Sequence, residues 1–270
     1  MLPSNIKSLI LDMDGVLWKA DSPIGDLPAI FGRILARGLK VAFATNNGTR
    51  TPDQYVERLA RFGVNVELWQ VVTSSLAVAE LLTRRFPPLL TGEGSGVRAK
   101  IFAIGGTGVM TALHEHGFEL LSIEDAKKAQ AVVIGVDLQI NFEKMREATL
   151  LVRSGVPFYA TNPDKTFPTP RGEIPGAGAW AAVIVTATGV EPVYAGKPAP
   201  YLLELARERL GTEKSETLVV GDRLETDIAG GQAAGMLTAL MLSGVCSREM
   251  GEAWKPKVDM IAEDLAALVK

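Results

Sequence analysis

The sequence predicts an α/β protein with a Rossmann-like parallel-sheet core and a second α/β domain inserted into that core. Short apolar runs alternate with amphipathic helical stretches, which is typical of parallel strands joined by helices. The alternation restarts after the turn-rich stretch FPPLLTGEGSG, residues 86–96, whose Gly-rich part is typical of a linker. We therefore expect core segments at residues 1–79 and 191–270 and an inserted domain at residues 80–190.

The core elements are predicted from the apolar runs and from the residues that bound them. In order, they are strand Ser8–Leu11, helix Ile24–Arg37, strand Leu39–Ala44, helix Asp53–Phe62, helix Tyr201–Arg209, strand Thr217–Val220, helix Asp227–Ala234, strand Leu237–Leu242, strand Val258–Ile261 and helix Leu265–Val269. Gly38 and Gly235 follow two of these helices, in the position where a helix commonly ends at glycine. Ligands of such sheets bind beyond the carboxyl ends of the strands.

The insert repeats the same order of elements on a smaller scale. We predict strand Lys100–Ile104, helix Gly108–His116, strand Ala131–Gly135, helix Phe142–Ser154 and strand Pro157–Ala160. The insert is therefore expected to be an α/β domain with its own core.

Composition excludes several classes of function. The 270 residues carry a net charge of -3, so no global basic field recruits nucleic acid or an anionic membrane. The first apolar run, SLIL, ends at Asp12 and is too short for a secretory signal, and no run reaches membrane-spanning length. The single cysteine excludes an intramolecular disulfide and a cysteine-based zinc site. We expect a cytoplasmic protein without nucleic-acid or membrane partners.

Two carboxylates follow the first predicted strand. Asp12 and Asp14 are two residues apart, so alternation along the strand directs both to one side, and Gly15 allows a sharp turn after them. Adjacent carboxylates repel unless a cation or a shared proton relieves them, and oxygen ligands suit Mg²⁺. An acidic turn without a ligand is the alternative.

Polar residues mark three further places near strand ends. Thr45, Asn46 and Asn47 supply hydroxyl, amide and backbone donors before a helix, which suits an anion but is also common turn chemistry. Lys197 lies in GKP before a helix, where a solvated surface lysine is the alternative. Asp222 follows a β-branched run, and Asp227 five residues later could cap the next helix.

The four polar motifs together are more specific than any one of them alone. The order DxDG, TNN, GKP and GDxxxTD, each at or near a strand end, resembles the haloacid dehalogenase (HAD) superfamily of phosphohydrolases. In the insert, VVIGVDLQINFEKM, YATNPDKTFPTPRG and PGAGAW resemble subfamily IIA, the branch of NagD-like and phosphoglycolate or p-nitrophenyl phosphatases. That branch carries a large α/β cap between the second and third motifs.

The resemblance implies a different role for each of the carboxylates. Asp12 would attack phosphorus and form an aspartyl-phosphate, and Asp14 would act as acid and then as base. A Mg²⁺ ion would be held by the Asp12 side chain, the Asp14 backbone carbonyl and Asp222. Asp227 would orient Lys197 or the loop around Asp222.

The resemblance also assigns residues to the substrate. Thr45, Asn46 and Asn47 would bind the phosphoryl oxygens, and Lys197 would offset their charge. In the cap, TNPD at residues 161–164 and the nearby phenylalanine would lie close to the leaving group; the residues concerned are Asn162, Asp164 and Phe167. Phe167 could form an apolar wall for the substrate or simply pack within the cap. Trp18 could pack beneath the site or touch the substrate.

The predicted function is Mg²⁺-dependent hydrolysis of a small phosphorylated metabolite. Two alternatives stay open: phosphoryl transfer of the mutase kind in the same superfamily, and a catalytically silent protein that binds a phosphometabolite. The resemblance is also compatible with a homodimer formed through the cap.

Overall fold

The computed structural model describes residues 2–87, 98–169 and 171–270. The GEGSG stretch and most of the predicted turn-rich segment lie outside these residues. The chain forms two compact units. The first comprises Met1–Thr45, Pro52–Val72 and Lys197–Lys270, and the second comprises Asn46–Thr51 and Thr73–Gly196. The functional cap boundaries at residues 80 and 190 stay a prediction.

The strands of the described residues are numbered along the chain. They are β1 (Ser8–Leu11), β2 (Trp18–Lys19), β3 (Ser22–Pro23), β4 (Lys40–Thr45), β5 (Val71–Thr73), β6 (Lys100–Ile104), β7 (Glu119–Leu120), β8 (Ala131–Ile134), β9 (Phe158–Ala160), β10 (Thr166–Thr169), β11 (Gly172–Pro175), β12 (Val193–Tyr194), β13 (Thr217–Gly221), β14 (Leu237–Met241) and β15 (Met260–Ala262).

The α-helices are numbered in the same way. They are α1 (Leu27–Ala36), α2 (Pro52–Arg61), α3 (Ser74–Arg85), α4 (Thr107–Glu115), α5 (Phe142–Arg153), α6 (Ala177–Thr188), α7 (Tyr201–Leu210), α8 (Ala229–Ala233), α9 (Arg248–Ala253) and α10 (Leu265–Leu268). Single 3₁₀ turns occur at Leu68–Gln70, Ala126–Lys128 and Lys214–Glu216, and a π-helical segment, Leu224–Ile228, precedes α8.

A parallel sheet with the order β15-β14-β13-β1-β4-β5 organises the first unit. Strand β1 lies between β13 and β4, with Leu11 level with Val220 on one side and Phe43 on the other. All four residues of β1 are buried, as expected for a parallel strand covered on both faces. The predicted parallel-sheet core is therefore confirmed.

The second unit has its own sheet and core. Its five strands run in the order β12-β9-β8-β6-β7, and each neighbouring pair is parallel. A separate apolar cluster, which includes Phe102, Ile134 and Leu151, packs around this sheet. The predicted α/β character of the insert is thus confirmed.

Local chemistry moves some element boundaries from their predicted positions. The prediction that the first helix begins at Ile24 is wrong, because Gly25 has a φ of +75° and Asp26 caps the helix by accepting from the Ala29 N–H. The hairpin formed by β10 and β11 and the helices α3 and α6 were not predicted. The residues of α6, AGAWAAVIVTAT, lack the polar face that makes a surface helix recognisable. Among the described residues, no helix combines the length and the apolar character required to cross a membrane.

Candidate active site

The ends of three neighbouring strands carry the predicted polar residues of the first unit. Asp12 follows β1 directly, Thr45 ends β4, and Asp222 follows β13. The Asp12 N–H donates to the Val220 carbonyl (2.8 Å), which continues the sheet pairing past Leu11. Because parallel strands end at a common edge, residues more than 200 positions apart are brought together there.

Lys197 is the centre of this cluster. Its side chain is 3% exposed, and its ammonium donates to Asp12 Oδ1 (2.6 Å), Asp227 Oδ1 (2.5 Å) and the Ala44 carbonyl (2.9 Å). The surface alternative for Lys197 is therefore excluded. An ammonium has three N–H groups, and each has an acceptor from the protein.

Asp227 links Lys197 to the segment after β13. It lies inside the π-helical segment and therefore does not cap a helix. One carboxylate oxygen accepts from Lys197, and the other accepts from the Arg223 N–H (3.1 Å). Gly221 makes this approach possible, since a Cβ there would lie 2.1 Å from the Asp227 Cβ.

A loop after β14 holds Asp222 and was missed in the sequence. The Val245 N–H donates to Asp222 Oδ2 (2.9 Å), and the Ser243 hydroxyl donates to the Gly15 carbonyl (2.7 Å). A Cβ on Gly244 would lie 2.0 Å from Asp222 Oδ2, so the loop backbone passes directly beside the carboxylate. The serine and the glycine, in LSGV after a predicted strand, were the available signal.

Asp14 differs from Asp12 in its surroundings. Asp14 is an exposed residue, whereas Asp12 is buried, with only 9% of its surface exposed. Asp14 Oδ1 accepts a hydrogen bond from the indole N–H of Trp18 (2.8 Å). Trp18 itself is fully buried, so the structure favours packing beneath the site over substrate contact for its ring.

The cluster carries more negative than positive charge. The pKa of Asp12 is raised well above its usual value by burial, and the charges of Asp227 and Asp222 add to that rise against the pull of Lys197. Burial and repulsion from Asp227 raise the pKa of Asp222 to about 6. The pKa of Lys197 is raised, because its two carboxylate partners outweigh the opposing effect of burial.

These residues fit a divalent cation. Asp12, Asp222 and Asp227 each offer a carboxylate oxygen, and the three oxygens lie within 4.8 Å of one another. One ammonium leaves this buried group with excess negative charge, which a cation would relieve. Hard oxygen donors in small number are the ligand type that Mg²⁺ takes, with water and substrate completing its shell.

In the second unit, the predicted residues Asn46, Asn162 and Asp164 contact one another. The Asn162 side-chain amide donates to the Asn46 carbonyl (2.7 Å), and its oxygen accepts from the Asp164 N–H (3.1 Å). The Asn46 amide donates to both carboxylate oxygens of Asp164 (3.2 Å each). Asn162 is therefore a buried link within this unit. Asn47 Oδ1 accepts from the Thr49 hydroxyl (2.7 Å) and so closes a turn.

Phe167 lies in the hairpin that follows the TNPD segment. It is half-buried on β10 and pairs with Ile174 of β11. The N-terminus of α6 secures the preceding segment, since the Gly178 N–H donates to the Asp164 carbonyl (2.9 Å). A Cβ on Gly178 would lie 2.1 Å from the Pro163 carbonyl oxygen, which explains the second glycine in PGAGAW.

Comparison with known proteins shows that most of the chain is similar to one family of hydrolases. The family model described as haloacid dehalogenase-like hydrolase matches residues 9–119, and a HAD-hydrolase-like model matches residues 194–268. The acid sugar phosphatase of Staphylococcus aureus is 37% identical over 243 residues, which are 90% of this chain and 89% of the relative.

The fold is shared with solved structures of known proteins. NagD from E. coli K-12 has a TM-score of 0.85 and 31% identity, with 97% of each chain covered. Glycerol phosphate phosphatase Rv1692 from Mycobacterium tuberculosis, in complex with magnesium, has a TM-score of 0.87 and 32% identity. The match covers 98% of this chain and 77% of that one.

The parallel sheet, the acidic strand ends and these matches define a class of enzyme: the chain belongs to the haloacid dehalogenase-like hydrolases. Within that family it is a phosphatase of the HAD type, similar to NagD. The resemblance noted in the sequence is thereby confirmed.

The close passage of Gly244 past Asp222 leads to a prediction. Gly244→Ala should lower kcat/KM by about 10²-fold, because the added methyl must displace the Asp222 carboxylate, and a 1 Å displacement costs that much. Steady-state kinetics at several Mg²⁺ concentrations would measure the change. Gly32→Ala is the matched control, since a Cβ there meets nothing within 4 Å. Equal activity of the two variants would remove the clamping role of the loop.

Proposed function

We propose that this phosphatase hydrolyses small phosphate monoesters with Mg²⁺ and through an aspartyl-phosphate formed on Asp12. One observation carries the proposal: the buried Asp12 carboxylate lies beside Lys197 and close to Asp222, and the exposed Asp14 follows two residues later. This arrangement supplies a nucleophile, a fixed cation, an acidic pocket for a metal and a second carboxyl group able to exchange protons.

In the first proposed step, Asp12 attacks phosphorus and the ester oxygen leaves. Lys197 keeps the Asp12 carboxylate in place and reduces the repulsion between it and the phosphoryl oxygens. Asp14, in its acid form, donates its proton to the leaving oxygen. Thr45 and the adjacent Asn46 and Asn47 supply donors for the phosphoryl group.

In the second step, water releases phosphate and regenerates Asp12. Asp14 is now a carboxylate and takes a proton from the attacking water, so one residue serves both steps. Covalent capture thus divides one difficult displacement into two easier ones.

We assign the metal to the Asp12 side chain, the Asp14 backbone carbonyl and Asp222. When bound, Mg²⁺ supplies charge neutralisation and orients the phosphoryl group for in-line displacement. Asp227 has a supporting role, because its two oxygens already accept from Lys197 and from the Arg223 N–H.

The substrate is proposed to be a small phosphorylated metabolite. The relatives described above are named for sugar phosphate and glycerol phosphate, which share a phosphate monoester on a small polyol. Roles for Asn162, Asp164 and Phe167 in substrate selection, cytoplasmic location and a cap-mediated homodimer stay predictions. Phosphoryl transfer of the mutase kind and silent binding are the functional alternatives.

A panel of phosphate esters, assayed with Mg²⁺ and with excess EDTA, tests this function. We expect inorganic phosphate as product, and a loss of at least about 10²-fold in rate on chelation, because the metal contributes several kcal/mol to charge stabilisation. Restoring Mg²⁺ should restore the rate, which controls for irreversible damage. An isomerised ester would favour the mutase alternative, and ligand binding that is insensitive to EDTA and without turnover would favour the silent one.

A further inference from the structure

Trp18 makes an unusual hydrogen bond for a fully buried residue. Its ring has no exposed surface, yet its indole N–H donates to Oδ1 of Asp14, which belongs to an exposed residue (2.8 Å). A buried indole N–H requires an acceptor. Here the acceptor is the carboxylate to which the proposed function gives the proton-transfer role.

The surroundings of Trp18 fix the direction of its N–H group. The Arg58 guanidinium carbon lies 4.2 Å from the ring centroid, in cation–π contact. The Phe62 ring packs at 5.8 Å between centroids. Arg58 is held in turn by the Ala20 carbonyl. The indole therefore has a defined orientation before any substrate arrives.

The backbone of the same turn adds a second constraint. The Gly15 N–H donates to the Trp18 carbonyl (2.8 Å), and the Leu17 N–H donates to the Met13 carbonyl (2.8 Å). Asp14 thus lies in a closed turn, with its side chain fastened to the last residue of that turn. A freely rotating exposed carboxylate would occupy several rotamers instead.

We propose that Trp18 is a positioning residue for proton transfer by Asp14, an inference that rests on the proposed function. The indole N–H donates a hydrogen bond to Oδ1 of Asp14, so the carboxyl proton of Asp14 is carried on Oδ2. In the first step the Oδ2–H bond breaks and the proton passes to the leaving ester oxygen as its bond to phosphorus breaks. In the second step Oδ2 takes a proton from water as the water oxygen bonds to phosphorus and the bond between phosphorus and the Asp12 carboxylate oxygen breaks. Oδ1 remains the anchored atom throughout.

The test uses two substrates of similar size whose leaving groups differ in basicity, phenyl phosphate and p-nitrophenyl phosphate. Phenolate is the more basic leaving group and needs the proton, whereas p-nitrophenolate leaves readily without it. The ratio kcat/KM reports steps up to the first irreversible one, which is loss of the leaving group, so the shared second step does not enter it. A purely structural defect would lower both values alike.

Trp18→Phe keeps an aromatic ring but removes the N–H group. We expect kcat/KM for phenyl phosphate to fall by about tenfold or more, as part of the 10²- to 10⁴-fold that general acid catalysis supplies, and for p-nitrophenyl phosphate by less than about threefold. Equal losses on the two esters, or no loss on either, would overturn the proposal. Phe31→Leu, which removes the ring that packs against Phe43 at 5.9 Å between centroids, is a packing control and should affect both esters equally.

Two further variants separate this inference from the function on which it rests. Asp14→Asn should show the same preference for the better leaving group, but more strongly. If Asp14→Asn lacked that preference, the acid role itself would be wrong; if only Trp18→Phe lacked it, the positioning role alone would fail. Should Trp18→Phe not fold, a benzothienyl-alanine at position 18 replaces the N–H by sulfur in a ring of the same shape, and the same ratio decides.

Discussion

Replacing Asp12 by Asn should lower kcat for p-nitrophenyl phosphate by about 10⁴-fold or more, the scale seen when a covalent nucleophile is removed. An amide oxygen lacks the negative charge needed to attack phosphorus and form the acyl phosphate. Steady-state assays with enough enzyme to detect a residual rate of that size would measure the loss. Turnover at the wild-type rate would show that another group is the nucleophile.

The same variant should fold normally, which makes the kinetic result interpretable. Asn has the shape of Asp, and Lys197 keeps Asp227 and the Ala44 carbonyl as acceptors. The raised pKa of Asp12 means that its charged form is disfavoured by burial, so removing that charge also relieves repulsion. We expect an unchanged or higher unfolding temperature. Asp53→Asn, at an exposed position in α2, is the matched control and should keep full activity.

The sequence was most informative where structure depends on local pattern. Strand β1 has the predicted bounds, because SLIL is an apolar run cut off by Asp12. The gathering of Asp12, Lys197, Asp222 and Asp227 followed from the rule that parallel strands end at one edge, combined with a recognisable motif order. Such features need only the identity of the residues and their place relative to a strand.

The sequence was least informative where a contact uses the backbone or the absence of a side chain. The loop beside Asp222 acts through the Val245 N–H and the clearance at Gly244, which have no chemical signature of their own. Asn162 shows that the residue type alone does not predict the contacts of a side chain. Its residue type suggested a substrate contact, but in the structure both ends of its amide have partners inside the protein.

Replacing Lys197 by Met should be costly for both activity and stability. Methionine is unbranched and only one atom shorter than lysine, but it leaves Asp12 and Asp227 buried without their shared cation. Breaking a buried ion pair by removing one partner costs about 3–5 kcal/mol in the free energy of unfolding. We also expect kcat to fall by about 10²-fold or more, since a fixed positive group beside the reacting phosphoryl is lost. Denaturant titration and steady-state kinetics measure the two effects.

We expect the loss of stability in Lys197→Met to come from the burial of the ion pair rather than from its short contact distance. A second ion pair with a similar distance but greater exposure tests this expectation. Lys128 contacts Asp125 at 2.7 Å, close to the 2.6 Å between Lys197 and Asp12, but its side chain is 54% exposed. Lys128→Met should therefore leave the unfolding midpoint unchanged, because water already solvates both charges. An equal loss in the two variants would mean that burial does not control the stability of the Lys197 cluster.

A second substitution then separates stability from catalysis at the same site. Lys197→Met combined with Asp227→Asn removes one buried charge of each sign, so the double variant should regain much of the stability lost in Lys197→Met. Interacting residues of this kind do not add independently, and the recovered stability measures their coupling. The activity should stay low, because neither change returns a cation to Asp12. If activity recovered together with stability, Lys197 would serve the fold alone, and the charge that opposes the phosphoryl group would have to come from elsewhere in the cluster.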